Sequence, residues 1–398
     1  MTMQKDVFVI AHVSDLHAST FGDTFHDGAR MIRRSAKPRP VDPKKYEVVW
    51  EEAGWRVFHQ RGKKASAIIL IDPEDYEHAI PTARKSGGVE DPVERAAKKA
   101  CRVEARTART LSKGLPSKGA LEYLAESTPN NANLRLIRAA RAIDPAAVDA
   151  VFITGDLTDD GDGYELVREA FRPWLERGTL FAVPGNHDLY LFPLFGSSRP
   201  RPTFETKRAG FRAFAAELGL VLEPSGLWHR YLPEPNIYLV GLDSCARTQP
   251  RFFRHNGGVG EAQLLALQEI AKRPEWTAAR HRIVGLHHHV VPLPHGVGRR
   301  APSEIGMRLD DAPRVAKVMD ELRVDLVLHG HRHVSEERQP AGTRFRILAS
   351  PSLTLGCRSG DGPSYWRISV SQHIRVERTY LSFAPIEDAD DAVTPEIA

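Results

Sequence analysis

The chain has 398 residues, with 55 Lys/Arg against 51 Asp/Glu, a hydrophobic fraction of 41% and a formal net charge of +4. These proportions are ordinary for a soluble globular protein, sufficient for one large domain or two of average size, and no apolar stretch approaches the roughly 20 residues that span a bilayer. Three separated cysteines (Cys101, Cys245 and Cys357) exclude a disulfide framework and a CxxC zinc site; they suit a reducing compartment, so a cytoplasmic location is expected.

In chain order, the segment MTMQKDVFVIAHVSDLH begins like a short export signal. His12 and Asp15 interrupt its apolar part and no small-residue cleavage site follows, so VFVIAHV (7–13) reads as a strand. The stretch from about 24 to 129 then departs from the pattern of the rest. Between Arg30 and Gly119 it carries 21 Lys/Arg against 12 Asp/Glu, a surplus larger than that of the whole chain. WRVFHQRGKKASAIILID suggests a hairpin turning at RGKK, and DPVERAAKKACRVEARTARTLSKG suggests a basic helix with Pro92 near its start. The stretch therefore reads as a structured basic insertion. Its charge is either a solvated face or a patch that meets phosphate-bearing partners, nucleic acid among them.

Beyond it, short apolar runs alternate with amphipathic helical patterns. NANLRLIRAARAI (131–143) precedes the strand AVFITG (150–155), and YELVREAFRPWLER (164–177) precedes TLFAVPG (179–185). RAGFRAFAAEL (208–218), IYLVGLD (237–243), EAQLLALQEIAKR (261–273) and RIVGLH (282–287) continue the alternation. PRVAKVMDELR (313–323), VDLVLHG (324–330) and FRILAS (345–350) extend it, and SYWRISVSQHIRVERTYLSF alternates like two antiparallel strands. Near-continuous apolar strands separated by helices predict an α/β layered fold with strands buried on both faces.

Five of these strands end in oxygen or imidazole donors. The first ends in SDLH (Asp15, His17), the second in GDLTDDG (Asp156) and the third in GNHD (Asn186, His187, Asp188). The run LHHH supplies His287, His288 and His289, and HGHRH supplies His331 and His333. Singly, each has a plainer reading: a capped strand end, an acidic turn, or an Asx turn. Together they deliver donors to the crevice outside the carboxyl ends of the strands, where α/β sheets bind ligands. A mixed Asp/Asn/His set without thiolate suits manganese, iron, zinc or cobalt, and there are too many donors for one ion. A carboxylate can bridge two ions, which can then clamp the attacking and leaving oxygens of a phosphoryl displacement.

In this order the motifs D-x-H, G-D, G-N-H-[DE], His and G-H-x-H resemble the calcineurin-like metallophosphoesterase superfamily, over residues 5–23 and about 130–355. GNHD and GHRH resemble its bacterial phosphodiesterase branch, whereas LTDD after the second strand lacks the tyrosine of purple acid phosphatases. The resemblance implies a four-layer α/β/β/α sandwich of two packed mixed sheets, formed by a single domain over 1–398 that the insertion at about 24–129 interrupts. It implies hydrolysis of phosphate esters, nucleotides among them, at a dinuclear metal centre with a bridging hydroxide nucleophile. By this resemblance Asp15, His17 and His333 hold one metal, and Asn186, His331 and one of the three consecutive histidines hold the other. Asp156 bridges, and His187 acts as general acid, oriented by Asp188. His287 is the expected ligand of the three, because His289 stands where the family often has proline; strand alternation would place His287 and His289 on one face and His288 on the other. His329 and His295 fall outside the set. A phosphomonoesterase, a nuclease and a non-catalytic scaffold of the same fold are the alternatives.

Overall fold

The computed structural model describes residues 7–18, 46–52, 55–60, 68–71, 132–159, 161, 163–190, 203–246, 256–291, 308–354, 356 and 362–381, with backbone alone at 46–71 and 132–134. In chain order the strands are β1 (Phe8–Val13), β2 (Tyr46–Glu52), β3 (Trp55–Gln60), β4 (Ile68–Ile71), β5 (Ala150–Thr154), β6 (Leu180–Val183), β7 (Trp228–Leu232) and β8 (Ile237–Gly241). They continue with β9 (His281–Gly285), β10 (Leu326–His329), β11 (Glu336–Arg338), β12 (Arg346–Ala349), β13 (Ser364–Val370) and β14 (Ile374–Tyr380). The helices are α1 (Ala132–Arg141), α2 (Tyr164–Ala170), α3 (Arg172–Glu176), α4 (Asn186–Leu189), α5 (Phe204–Glu217), α6 (Glu261–Ile270), α7 (Pro274–Ala278) and α8 (Ala312–Glu321).

Two mixed sheets form the body. One has the order β14-β13-β1-β5-β6 and the other β11-β12-β10-β9-β8-β7. In the first, β1, β5 and β6 are parallel and β13 joins β1 antiparallel; in the second, β8, β9, β10 and β12 are parallel, with antiparallel edges β7 and β11. Side-chain alternation explains why the two sheets pack on each other. Ile237, Leu239, Ile283, Leu326, Leu328 and Leu348 share one buried cluster with Phe152 and Ile153 of the first sheet. Their neighbours Tyr238, Val240, Val284, Val327 and Ile347 point the other way, into a second cluster with Leu264 and Leu267 of α6 and Val315 and Met319 of α8. Each strand is thus apolar on both faces because each face is covered.

On the far side of the first sheet lie α1, α2, α3 and α5, which contribute Leu136, Val167, Trp174 and Phe214 to the first cluster. The result is helices, sheet, sheet, helices. Trp228 closes the inter-sheet seam: its ring lies 5.5 Å from Phe152 and 5.7 Å from Phe181, and its indole N–H donates to the Ala182 carbonyl at 2.8 Å. A fully buried aromatic of this kind contributes about 1.5–3 kcal/mol relative to an exposed one.

The helix expected over 164–177 is two helices, broken at Phe171, because Pro173 sits in the first turn of α3, where its missing N–H is harmless. Strands β7 and β11 and the short helices α4 and α7 were not expected from the sequence. The hairpin expected around RGKK corresponds to β3 and β4, which pair antiparallel, and with β2 they form a separate three-stranded sheet. The turn itself, the basic helix after Pro92 and His295 lie outside the described residues. No helix among the described residues is long and apolar enough to cross a membrane.

Candidate metal centre

The loops that follow β1 and β5 run side by side. Asp15 N–H donates to the Gly155 carbonyl at 3.0 Å, and His17 N–H donates to the Asp156 carbonyl at 2.9 Å. Leaving the sheet this sharply requires unusual backbone: Asp15 (φ 53), His17 (φ 51), Asp156 (φ 49), His331 (φ 72) and His333 (φ 49) are all left-handed. Among the described residues only Asn236 and Arg323 are other non-glycine cases. A left-handed residue with a Cβ costs of order 1–3 kcal/mol and persists only where surrounding structure holds it. Here five residues predicted as ligands carry that strain together.

Gly330 makes the crowding at the strand ends possible. A Cβ there would collide with the Ser14 hydroxyl and the Asp15 carboxylate. Its hydrogen lets the turn after β10 lie directly on the turn after β1.

The donors fall into two adjoining groups. In the first, His333 Nε2 lies 3.2 Å from Asp15 Oδ1 and 3.1 Å from His17 Nε2. The opposite nitrogen of His17, Nδ1, lies 3.3 Å from Asp159 Oδ1. In the second, His287 Nε2 lies 2.9 Å from Asn186 Oδ1, 3.1 Å from His331 Nδ1 and 3.3 Å from Asp156 Oδ2. His287 Nδ1 lies 2.8 Å from the Thr154 carbonyl, which can only accept, so that nitrogen carries the proton. In the neutral ring Nε2 then presents a lone pair to an amide oxygen, a carboxylate oxygen and a second imidazole. An imidazole nitrogen that faces an amide oxygen, a carboxylate oxygen and a second imidazole nitrogen belongs to a donor set that suits a cation. His331 Nε2 is also buried, with no hydrogen-bond partner among the described residues. The residues therefore fit a pair of divalent ions.

Without an ion the same charges act on protons. Burial depresses the His287 pKa, but the adjacent Asp156 carboxylate outweighs it and leaves the ring at about 9. Burial would raise the carboxyls of Asp15 and Asp156, yet His333 and His287 respectively hold them below the ordinary value. Burial, reinforced by His288 and His287, keeps His331 neutral. A metal ion would take the place of the imidazolium protons.

His187 lies against the first group, its ring 4.9 Å from that of His17. Its backbone N–H donates to Asp156 Oδ1 at 2.8 Å, and its Nδ1 is 2.9 Å from Asp159 Oδ1. Burial lowers its pKa, but Asp156 and the Asp159 hydrogen bond raise it to about 9. Asp188, expected to orient this ring, faces elsewhere. It accepts the N–H groups of Gly185 (2.8 Å), Leu157 (3.1 Å) and Thr158 (2.8 Å) and the Thr158 hydroxyl (2.9 Å). It ties the loops after β5 and β6 together, and Asp159 holds the imidazole. The buried Lys207, also missed from sequence, donates to the carbonyls of His187 and Tyr190 at the end of α4, where a cation complements the helix terminus. Asp159 was legible only as the second of three acidic residues in GDLTDDG; Lys207 gave no signal.

The three consecutive histidines separate in space. His288 Nδ1 pairs with the Ser244 hydroxyl at 2.8 Å, and His289 Nε2 faces the Gly330 carbonyl at 2.8 Å. The His287 ring reaches Asp156 and Asn186. The expected alternation of faces does not apply, because β9 ends at Gly285 and residues 287–289 follow no strand geometry.

The profile of the calcineurin-like phosphoesterase family matches residues 129–335, more than half of the chain. The chain belongs to that family. Its buried His/Asp groups fit the dinuclear metal site typical of that family. No curated protein matches it. Among solved structures it is similar to a purple acid phosphatase from yellow lupin (Lupinus luteus) seeds, at 13% identity and a TM-score of 0.38, covering 62% of this chain and 46% of that one. A dimetal phosphatase from Danio rerio aligns at 13% identity and a TM-score of 0.40, covering 66% and 87% of the two chains. A sulfate thiohydrolase from Thermus thermophilus, in complex with glycerol, aligns at 12% identity and a TM-score of 0.39, covering 96% and 57%. The chain thus spans less than half the length of the lupin enzyme.

Proposed function

We propose that the chain is a metal-dependent phosphodiesterase. One ion is held by Asp15, His17 and His333, the other by Asn186, His287 and His331, and Asp156 bridges the two. The observation that carries this reading is the convergence of His287 Nε2, Asn186 Oδ1, Asp156 Oδ2 and His331 Nδ1 beside the Asp15–His17–His333 group. Two such ions, whether manganese, iron, zinc or cobalt, supply electrostatic stabilisation of the attacking and leaving oxygens. The chain's own residues supply the proton. The oxygen of water adds to phosphorus as its hydroxyl, with the released proton passing to solvent; the ester P–O bond breaks, and the leaving oxygen takes the proton of His187 Nε2, which solvent restores, while Asp159 holds Nδ1. An alkoxide departing from a diester is a poor leaving group, so a positioned acid matters most there, typically by 10²–10⁴-fold.

GNHD and GHRH support the diester over the monoester, through the resemblance to the bacterial phosphodiesterase branch. We place the enzyme in the cytoplasm because its cysteines are few and separated, and Cys245 is a buried free thiol. The domain is read as one catalytic unit interrupted at about 24–129. Two features support this: β1 leads directly into Asp15 and His17, and β2, β3 and β4 pair with none of the core strands. The insertion, which leaves the core just after Asp15 and His17, is either an element that selects the substrate, nucleic acid among the candidates, or a peripheral decoration. Metal analysis combined with turnover of bis(p-nitrophenyl) phosphate and p-nitrophenyl phosphate tests the assignment. Two ions per chain and a higher kcat/KM for the diester are expected; preference for the monoester overturns it.

A further inference from the structure

His289 is buried and lies beside the metal ligands without joining them. Its Nε2 is 2.8 Å from the Gly330 carbonyl, and a carbonyl only accepts, so the ring donates. The same carbonyl accepts the backbone N–H of Arg332 at 2.9 Å. A bond from residue i+2 to residue i, closing over a residue at φ 72, defines a γ-turn of the rare and strained positive-φ kind. The residue at its apex is His331.

Three more contacts fix this turn. Gly330 N–H donates to the His287 carbonyl at 3.2 Å, and His331 N–H donates to the Asp15 carboxylate at 2.9 Å. The His329 ring packs 4.0 Å from the His289 ring at 34°. Neither nitrogen of His329 has a hydrogen-bond partner among the described residues, so that ring acts as a wall that fixes the plane of His289. The His289 donor therefore reaches the one carbonyl whose position closes the turn under His331.

We propose that His289 is a positioning residue for the ion held by Asn186, His287 and His331. By donating to the Gly330 carbonyl it stabilises the strained turn that aims His331 Nδ1 at His287 Nε2. The proposal rests on the dinuclear reading above. It concerns a feature of this chain, since proline, which the resemblance would place at position 289, has no side-chain donor.

The test titrates the chelator-stripped protein with Mn(II), reading free ion by electron paramagnetic resonance, so that two stepwise dissociation constants are obtained. Wild-type protein takes up two ions. His289→Phe keeps the ring and removes the donor; it weakens one of the two constants about 10–100-fold, the usual effect of losing a hydrogen bond that orients a ligand, and leaves the other near its wild-type value. His289→Gln, whose amide reaches the same carbonyl, restores the weakened constant. If His289→Phe lacks the native near-UV circular dichroism, His289→Asn replaces it, being too short to reach Gly330, and is compared with Gln in the same way. A donor-less variant that binds both ions like wild type, or a Gln variant as weak as the donor-less one, overturns the clamp. Wild-type protein that binds fewer than two ions overturns the metal centre on which the clamp depends.

Discussion

His187 and Asp159 meet beside the Asp15–His17–His333 group: Nδ1 of the imidazole lies 2.9 Å from the carboxylate, and both groups are buried. His187→Ala is expected to lower kcat by about 10²–10⁴-fold while metal content is retained. The loss should shrink for leaving groups as good as p-nitrophenolate, which depart without a proton. Equal losses for good and poor leaving groups would remove the acid role.

Asp159→Asn keeps a hydrogen-bond acceptor near His187 but removes the charge. Because the same carboxylate oxygen lies 3.3 Å from His17 Nδ1, two effects are expected together. Turnover of poor leaving groups falls, and the ion held by His17 binds more weakly, by about 10–100-fold. Measuring kcat across a leaving-group series alongside metal titration separates the two; unchanged values in both would show that Asp159 is a bystander.

Asp156 touches the His287 ring of the second donor group through Oδ2 and the His187 backbone N–H through Oδ1. Asp156→Asn should cut metal uptake and hydrolysis severely while far-UV circular dichroism stays native. A variant that retains two ions and full turnover is incompatible with the bridging role.

Gly330→Ala places a methyl group against the Ser14 hydroxyl and the Asp15 carboxylate, both held by backbone contacts. Overpacking of this kind costs about 1–3 kcal/mol. Urea unfolding of the metal-free protein should show that loss, and metal titration should show weaker binding because Asp15 is displaced. A fully stable variant with normal metal binding would mean that the strand ends are more yielding than their packing indicates.

His12 is buried on β1 with Nε2 2.9 Å from the Thr154 hydroxyl, while its Nδ1 has no partner among the described residues. Burial lowers its pKa from 6.5 to about 3, outweighing the Asp15 charge that would raise it. The folded pKa is below the unfolded one, so the unfolded chain binds the proton first. The stability this residue contributes is complete above pH 6.5 and is lost as pH falls from there toward 3. His12→Gln, which can still reach the hydroxyl, should reduce the acid-side slope of unfolding free energy by about 1.4 kcal/mol per pH unit in chelated protein. An unaltered slope between pH 6.5 and 5 would show that His12 does not titrate in this way.

The sequence by itself determined the layered α/β fold and the types of donor at the strand ends, because both are local properties. Apolar runs such as AVFIT and LVLH must be covered on both faces, and the residues that follow each run emerge at the same edge of a sheet. It left β7 unrecognised, since WHRYL is half-exposed and its apolar positions follow no clean period. Only the tertiary structure decided which atoms meet. His287 reaches Asp156 and Asn186 because its other nitrogen is anchored on Thr154, 133 residues earlier, and Asp159 displaces Asp188 as partner of His187 because the loops after β5 and β6 cross where they do. Such meetings depend on the register between strands far apart in the chain and on left-handed turns that single residues adopt only under the pressure of their neighbours. Neither the register nor that pressure is written in the spacing of a motif.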